Sequence, residues 1–124
     1  MEKLYNYIGG ALLAPLNNKY LDNINPATGE VYAQIPDSGA DDVHKAFEAA
    51  EAAYPEWSNR SIKERSEILL KISHLIDEKL EGLAVAESID NGKPIKLAKR
   101  VDIPRASSNF HFFATAILHD SSLS

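Results

Sequence analysis

No cysteine occurs in this chain of 124 residues. That removes a disulfide framework, a thiolate metal site and a cysteine nucleophile from its own chemistry. Glycine is sparse, and Gly9, Gly10, Gly29, Gly39, Gly82 and Gly92 cannot be assembled into a Gly-x-Gly-x-x-Gly or Walker loop. The sequence therefore carries no phosphate cradle. Basic residues are outnumbered 13 to 18 by acidic ones, a formal charge of −5, which leaves no positive footprint for nucleic acid. No apolar run approaches the roughly 18 residues of a membrane span. Met1-Glu2-Lys3 and the following Leu4 to Ile8 are too polar and too short for a secretory signal. The expectation is a soluble, cytoplasmic protein with neither nucleic acid nor membrane as partner. What is present is ordinary globular composition, 44% hydrophobic and 25% charged, at the usual size of one domain.

The hydrophobic period changes at about Asp37. Before it, tyrosines at 5, 7, 20 and 32 alternate with Ile8, Ile24, Val31 and Ile35 between turn formers, a β pattern. Gly9-Gly10 can take positive φ and predicts a turn between strands near 4–8 and 11–14. Asn25-Pro26-Ala27-Thr28-Gly29-Glu30 separates Tyr20–Ile24 from Val31–Ile35 as a second hairpin with a four- or five-residue loop. Strands this short need a surface to lie against.

Beyond Asp37 the period is helical. Ser38-Gly39-Ala40-Asp41 has the form of a capping box, a serine oxygen meeting N–H groups that a helix start leaves unpaired. Val43, Ala46, Phe47, Ala50, Ala53, Tyr54 and Trp57 then form one apolar stripe, with Asp42, Lys45, Glu48 and Glu51 facing elsewhere and Pro55 ending the helix. A second box, Ser61-Ile62-Lys63-Glu64, opens a helix predicted to run to about Ile89, with Ile62, Leu69, Ile72, Ile76, Leu80 and Leu83 on one face. Asp90-Asn91-Gly92 suits a helix C-terminus, and Pro94 suits the first turn of the next helix. A last helix is predicted from Asp102 to Asp120, with Pro104 in its first turn, before a polar stub, Ser121 to Ser124. The fold class is α+β: two short hairpins over about 4–36, then three or four helices over about 39–120. These helices carry more apolar surface than their own neighbours can cover, which points to an oligomer or to part of something larger.

Chemistry-bearing clusters are few. His44, His74, His111 and His119 lack metal-ligand spacing and read as surface or capping residues. Ser107-Ser108 has no nucleophile-elbow glycines and reads as helix surface. Glu87 and Asp90, three apart at a helix end, read either as a shared cation site or as a solvated acidic pair. Arg105, in a first helical turn, is either a surface residue or an anion hook.

The Asn25–Glu30 turn is followed by an alanine-rich helix ending near Trp57, by Arg65 within Ser61–Ser66, and by Glu87-Ser88-Ile89-Asp90-Asn91-Gly92-Lys93-Pro94. This ordered set resembles the amino-terminal part of the aldehyde dehydrogenase superfamily, from about Tyr7 to Asp120. Val101-Asp102-Ile103-Pro104-Arg105 with Asn109-Phe110-His111-Phe112-Phe113-Ala114 is similar to its muconic semialdehyde dehydrogenase branch.

The resemblance implies an enzyme that oxidises an aldehyde to a carboxylic acid through a cysteine thiolate, a glutamate and NAD or NADP. It also implies that the whole chain is the first portion of an α/β, Rossmann-like cofactor domain, with the remainder absent. Those catalytic and cofactor groups lie beyond this stretch, so the chain is expected to be inactive and to bind no nicotinamide by itself. It implies a monovalent cation held by the Ile24 carbonyl and the Asp90 carboxylate, a role for Asp90 that stands beside helix capping. It also implies that Arg105 meets a substrate carboxylate in a bidentate pair. Three readings of the chain stand. One is an incomplete aldehyde dehydrogenase; another is a non-catalytic interaction module that self-associates or docks on a full-length partner through its exposed helical face; the third, an unrelated α+β binding domain, has the motif set against it.

Overall fold

The computed structural model describes residues 1–119 and groups the chain into two compact units, Met1–Ser58 and Asn59–Ser124. The expected polar stub lies outside the described residues, and the last helix, predicted to reach Asp120, ends at Ala116, after which 117–119 form a turn. The class is α+β, short strands followed by helices, as expected.

In the first unit Gly9 and Gly10 take φ of 61° and 83°, two successive positive values that only a primed turn requires. The two-residue loop sets β2 (Asn6–Ile8) antiparallel to β3 (Ala11–Leu13) in the register Asn6 to Leu13, Tyr7 to Leu12 and Ile8 to Ala11. The second hairpin joins β4 (Tyr20–Asn25) to β5 (Glu30–Pro36). At its turn the Asn25 side chain accepts from the Ala27 N–H at 2.9 Å, and the Asn25 carbonyl accepts from Gly29 N–H at 2.8 Å. A register shift between Asn23 and Ile24 leaves Tyr32 as the extra residue of a β-bulge. A strand not foreseen from the sequence, β1 (Glu2–Lys3), pairs parallel with β5, giving the sheet order β1-β5-β4. Two residues carry no periodicity, so nothing short of the pairing itself reveals such a strand.

Helix α1 (Ala40–Asn59) departs from its expected start, face and end. The Ser38 hydroxyl accepts from the Asn6 side chain at 2.8 Å. Asp42, expected to face solvent, is the one buried residue of α1; its carboxylate accepts from the N–H groups of Leu16 at 3.0 Å and Gly39 at 3.1 Å. The apolar stripe is open instead, with Val43 67%, Phe47 61% and Tyr54 66% exposed. Pro55 lies inside the helix rather than ending it. It removes only one hydrogen bond, which four further residues of exposed helix tolerate.

The second unit begins as expected. Ser61 Oγ accepts from Glu64 N–H at 3.1 Å, and the Glu64 carboxylate accepts from Ser61 N–H at 2.9 Å, a complete capping box for α2 (Ile62–Glu78). The long helix predicted to reach Ile89 is divided at Lys79, whose ψ of 12° interrupts it before α3 (Leu80–Asn91). The cause is tertiary: Leu80 and Ile76 pack against the core of Ala84, Ala98 and Ile103, and periodicity does not report such a bend. Pro94 caps α4 (Ile95–Leu97) from outside its first turn. The next residues are continuous with it: a wide π-type turn, Ala98–Asp102, leads into α5 (Ile103–Ala116). Ile103 N–H reaches Ala98 O, five residues back, and Pro104 has no N–H to offer, so the wider ring forms where the ordinary one is interrupted.

The closest packing is between α2 and α5. Ser66 donates to Ala114 O at 2.7 Å; Ser73 donates to Ser107 O at 3.0 Å while Ser107 returns a bond to Ser73 O at 3.1 Å. The pairs 66 with 114 and 73 with 107 step seven residues in opposite directions, which identifies an antiparallel crossing held by small residues on both helices. Ser107 is thus buried, not on the helix surface; Ser108 is exposed and donates to Arg105 O at 3.1 Å.

Candidate functional site

The stretch Asp90–Pro94 carries the end of α3 into a turn held by several hydrogen bonds. Gly92 closes α3 in the left-handed conformation, φ 76°, and donates to Ser88 O at 3.0 Å, the conformation for which glycine has no Cβ penalty. Around it Ser88 Oγ donates to Lys93 O at 2.6 Å, and Lys93 N–H donates to the Asn91 side chain at 2.9 Å. Asn91 Nδ2 donates to Glu87 Oε1 at 2.7 Å. One Glu87 oxygen is therefore engaged by the turn itself. Asp90 is exposed at the end of α3 and has an interaction of its own.

This turn is tied to the start of α5. Lys93 Nζ meets Asp102 Oδ2 at 2.7 Å, both side chains being about two-thirds or more buried. Glu81 and Lys99 form a second ion pair between α3 and the wide turn. Arg105, one helical turn beyond Asp102, is exposed on α5. Asp90 and Arg105 thus belong to neighbouring ends of one clasped segment. The Lys93–Asp102 pair was not foreseen; its one sequence signal was the lysine within the Asn-Gly-Lys-Pro stretch.

Ile24 belongs to the other unit. It sits at the bulge of β4 opposite Val31, directly before the Asn25 turn, with its side chain half-exposed. A backbone carbonyl and a carboxylate are both hard oxygen donors of the kind alkali cations take, so Ile24 and Asp90 fit such an ion in chemistry. They stand in separate units. His44 forms an exposed pair with Glu48 at 3.1 Å, and the other three histidines are also exposed. Among the described residues no three metal-ligating side chains gather, and no helix is long and apolar enough to cross a membrane. For a nicotinamide cofactor the residues present do not fit, since none of the glycine turns is followed by a phosphate-facing helix start of the dinucleotide-binding type.

The chain belongs to the aldehyde dehydrogenase family, whose profile matches residues 14–123. Among particular relatives, it is 52% identical over 119 residues to the 2-aminomuconic semialdehyde dehydrogenase of Bos taurus, covering 96% of this chain and 24% of the relative. The Homo sapiens protein of that name is 46% identical over the same shares. The chain thus spans about a quarter of the length of the curated relatives it matches. Of solved structures, PnpE in complex with nicotinamide adenine dinucleotide superposes with a TM-score of 0.87 at 33% identity, over 92% of this chain and 23% of that one. Indole-3-acetaldehyde dehydrogenase in its apo form gives 0.93 at 27%, over 97% and 28%.

Proposed function

We propose that the chain acts as the amino-terminal quarter of an NAD- or NADP-dependent aldehyde dehydrogenase that oxidises a muconic-type semialdehyde to the acid. The observation that carries this is the 52% identity to a 2-aminomuconic semialdehyde dehydrogenase across 96% of the chain. The chain supplies no nucleophile and no cofactor turn, and by itself it is inactive. Its own contribution is to hold groups in place. Arg105, on the exposed face at the start of α5, presents five N–H donors in a planar fork suited to a carboxylate. The Lys93–Asp102 pair fixes the turn from which that helix starts. Ile24 O and the Asp90 carboxylate supply two oxygens to a monovalent cation whose role is structural. The complete enzyme is placed in the cytoplasm.

The test is to replace the matching quarter of the bovine enzyme with this chain and follow NADH formation. Aldehyde oxidation is expected, with Arg105→Ala lowering kcat/KM for acidic semialdehydes by tenfold or more, the loss of one charge-assisted pair. Asp90→Ala is expected to abolish dependence on potassium or sodium. Unchanged discrimination between acidic and neutral aldehydes defeats the role of Arg105, and unchanged cation dependence defeats that of Asp90. A second reading, an interaction module, is favoured by the exposed aromatic face of α5, where Phe112 and Phe113 are 62% and 61% exposed.

A further inference from the structure

We propose that Asn91 is a site of spontaneous modification, its side-chain amide converted to aspartate and isoaspartate by attack of the Gly92 backbone nitrogen, at a rate set by opening of the last turn of α3. Neither reading of the chain's function enters this. Asn91-Gly92 is the one Asn-Gly pair in the sequence, every other asparagine being followed by a residue with a side chain, and both of its residues are exposed. Asparagine is a thermolabile residue, and a following glycine, having no Cβ, leaves its nitrogen open to approach and its φ free to adjust. The folded turn restrains all three reacting groups. Gly92 N–H donates to Ser88 O at 3.0 Å, Asn91 Nδ2 donates to Glu87 Oε1 at 2.7 Å, and Asn91 Oδ1 accepts from Lys93 N–H at 2.9 Å. As the last residue of α3, Asn91 also keeps a helical backbone, which turns the Gly92 nitrogen off its line of approach to Asn91 Cγ. Helix ends fray, and local openings of this kind lie at the low end of the free-energy scale, so the restraint is a gate and not a seal.

The reaction exchanges one water for one ammonia. In the opened turn the Gly92 N–H gives its proton to solvent, the nitrogen bonds to Asn91 Cγ, and Nδ2 takes up a proton and leaves as ammonia, closing a five-membered imide. Water then opens the ring. Cleavage of the bond between the Gly92 nitrogen and Cγ yields aspartate; cleavage of its bond to the Asn91 main-chain carbonyl carbon yields isoaspartate, whose backbone runs through Cγ and is longer by one carbon. Either product changes the segment. A carboxylate at 91 has no proton to donate to Glu87, and it faces that acid four residues away at the negative end of the α3 dipole. The added backbone carbon of isoaspartate shifts Lys93, whose carbonyl accepts from Ser88 Oγ and whose Nζ meets Asp102 Oδ2 at 2.7 Å. The modification thus loosens the tie between α3 and the start of α5.

The experiment incubates the full 124-residue chain at neutral pH and body temperature and follows each asparagine by peptide mapping with mass spectrometry, scoring isoaspartate with protein isoaspartyl methyltransferase and labelled S-adenosylmethionine. Conversion is expected first at Asn91, as a mixture of aspartate and isoaspartate, about tenfold to a hundredfold slower than in the same chain unfolded in urea. Glu87→Ala frees Nδ2 and keeps a residue of high helix propensity; it is expected to speed conversion of the folded chain about fivefold, the loss of one hydrogen bond. Asn91→Gln, which would have to close a six-membered ring, is expected to end the reaction at this position. An Asn91 that stays intact in the folded chain, conversion that falls first on another asparagine, or aspartate without isoaspartate overturns the proposed chemistry. A folded rate equal to the unfolded one, or one that Glu87→Ala leaves unchanged, overturns the gate.

Discussion

Helix α1 and the α2–α5 pair both leave large apolar residues open, Phe47 on α1 and Phe113 on α5, and differ in what they bury. Along α1 the large residues stand open and the one buried side chain is a carboxylate. Between α2 and α5 the hydrogen bonds are made at Ser66, Ser73, Ser107 and Ala114, small residues rather than the large ones of the apolar stripes. Periodicity reports which face of a helix is apolar. It does not report whether another surface arrives to cover it, nor which residues sit at the point of closest approach, where small side chains bring the backbones together.

The comparison is broken most directly at the crossing. Ser73→Leu inserts bulk between α2 and α5 and leaves Ser107 with a lost partner. Stability is expected to fall by about 3 kcal/mol, read as a lower urea midpoint and lost exchange protection along α5. On α1, Asp42→Ala leaves the N–H groups of Leu16 and Gly39 unpaired, with an expected cost of about 2 kcal/mol in the same measurement. An unchanged midpoint shows that water satisfies both groups.

A smaller effect is set by pH at the start of α2. The Ser61 backbone N–H foremost, then its hydroxyl, with help from Arg60, holds the Glu64 carboxyl below its ordinary value; burial opposes this. The folded state therefore binds the proton less readily than the unfolded one. The capping contribution is present above the ordinary carboxylate range and is lost as pH falls through the lowered folded value. The difference in stability between the parent and Glu64→Ala should be present at neutral pH and shrink in acid, as followed by circular dichroism. Smallest of all, Phe47→Ser on the open face of α1 should leave stability within about 0.5 kcal/mol while reducing binding of a hydrophobic dye. A cost comparable to that of Asp42→Ala means the α1 stripe is covered in solution.

Much of the local structure was legible where chemistry is local. Gly9-Gly10, the Asn25–Glu30 turn, the Ser61 box and Gly92 each follow from the conformations their own residues favour. The break at Lys79 and the burial of Asp42 and Ser107 were not legible, because each depends on contacts between separate elements; the wide turn has a local cause in Pro104, which periodicity does not report. The site was legible only as an order of motifs. Ile24, Asp90 and Arg105 carry no common periodicity, and the ion pair of Lys93 with Asp102 joins a residue before α4 to the last residue of the wide turn.

The wide turn at Ala98–Asp102 has a consequence for the face that α5 presents. It accommodates one residue more than an ordinary helical turn, and one residue is about 100° of rotation. A residue inserted into a regular helix would turn everything after it by that angle, whereas the wide turn takes up the extra residue within one revolution. Deleting a single residue from 99–102 would therefore restore an ordinary turn with Ser107 still against Ser73 and the guanidinium of Arg105 in the same quadrant. The turn works as slack in the chain, by which relatives one residue apart in length keep the same face toward the same neighbour.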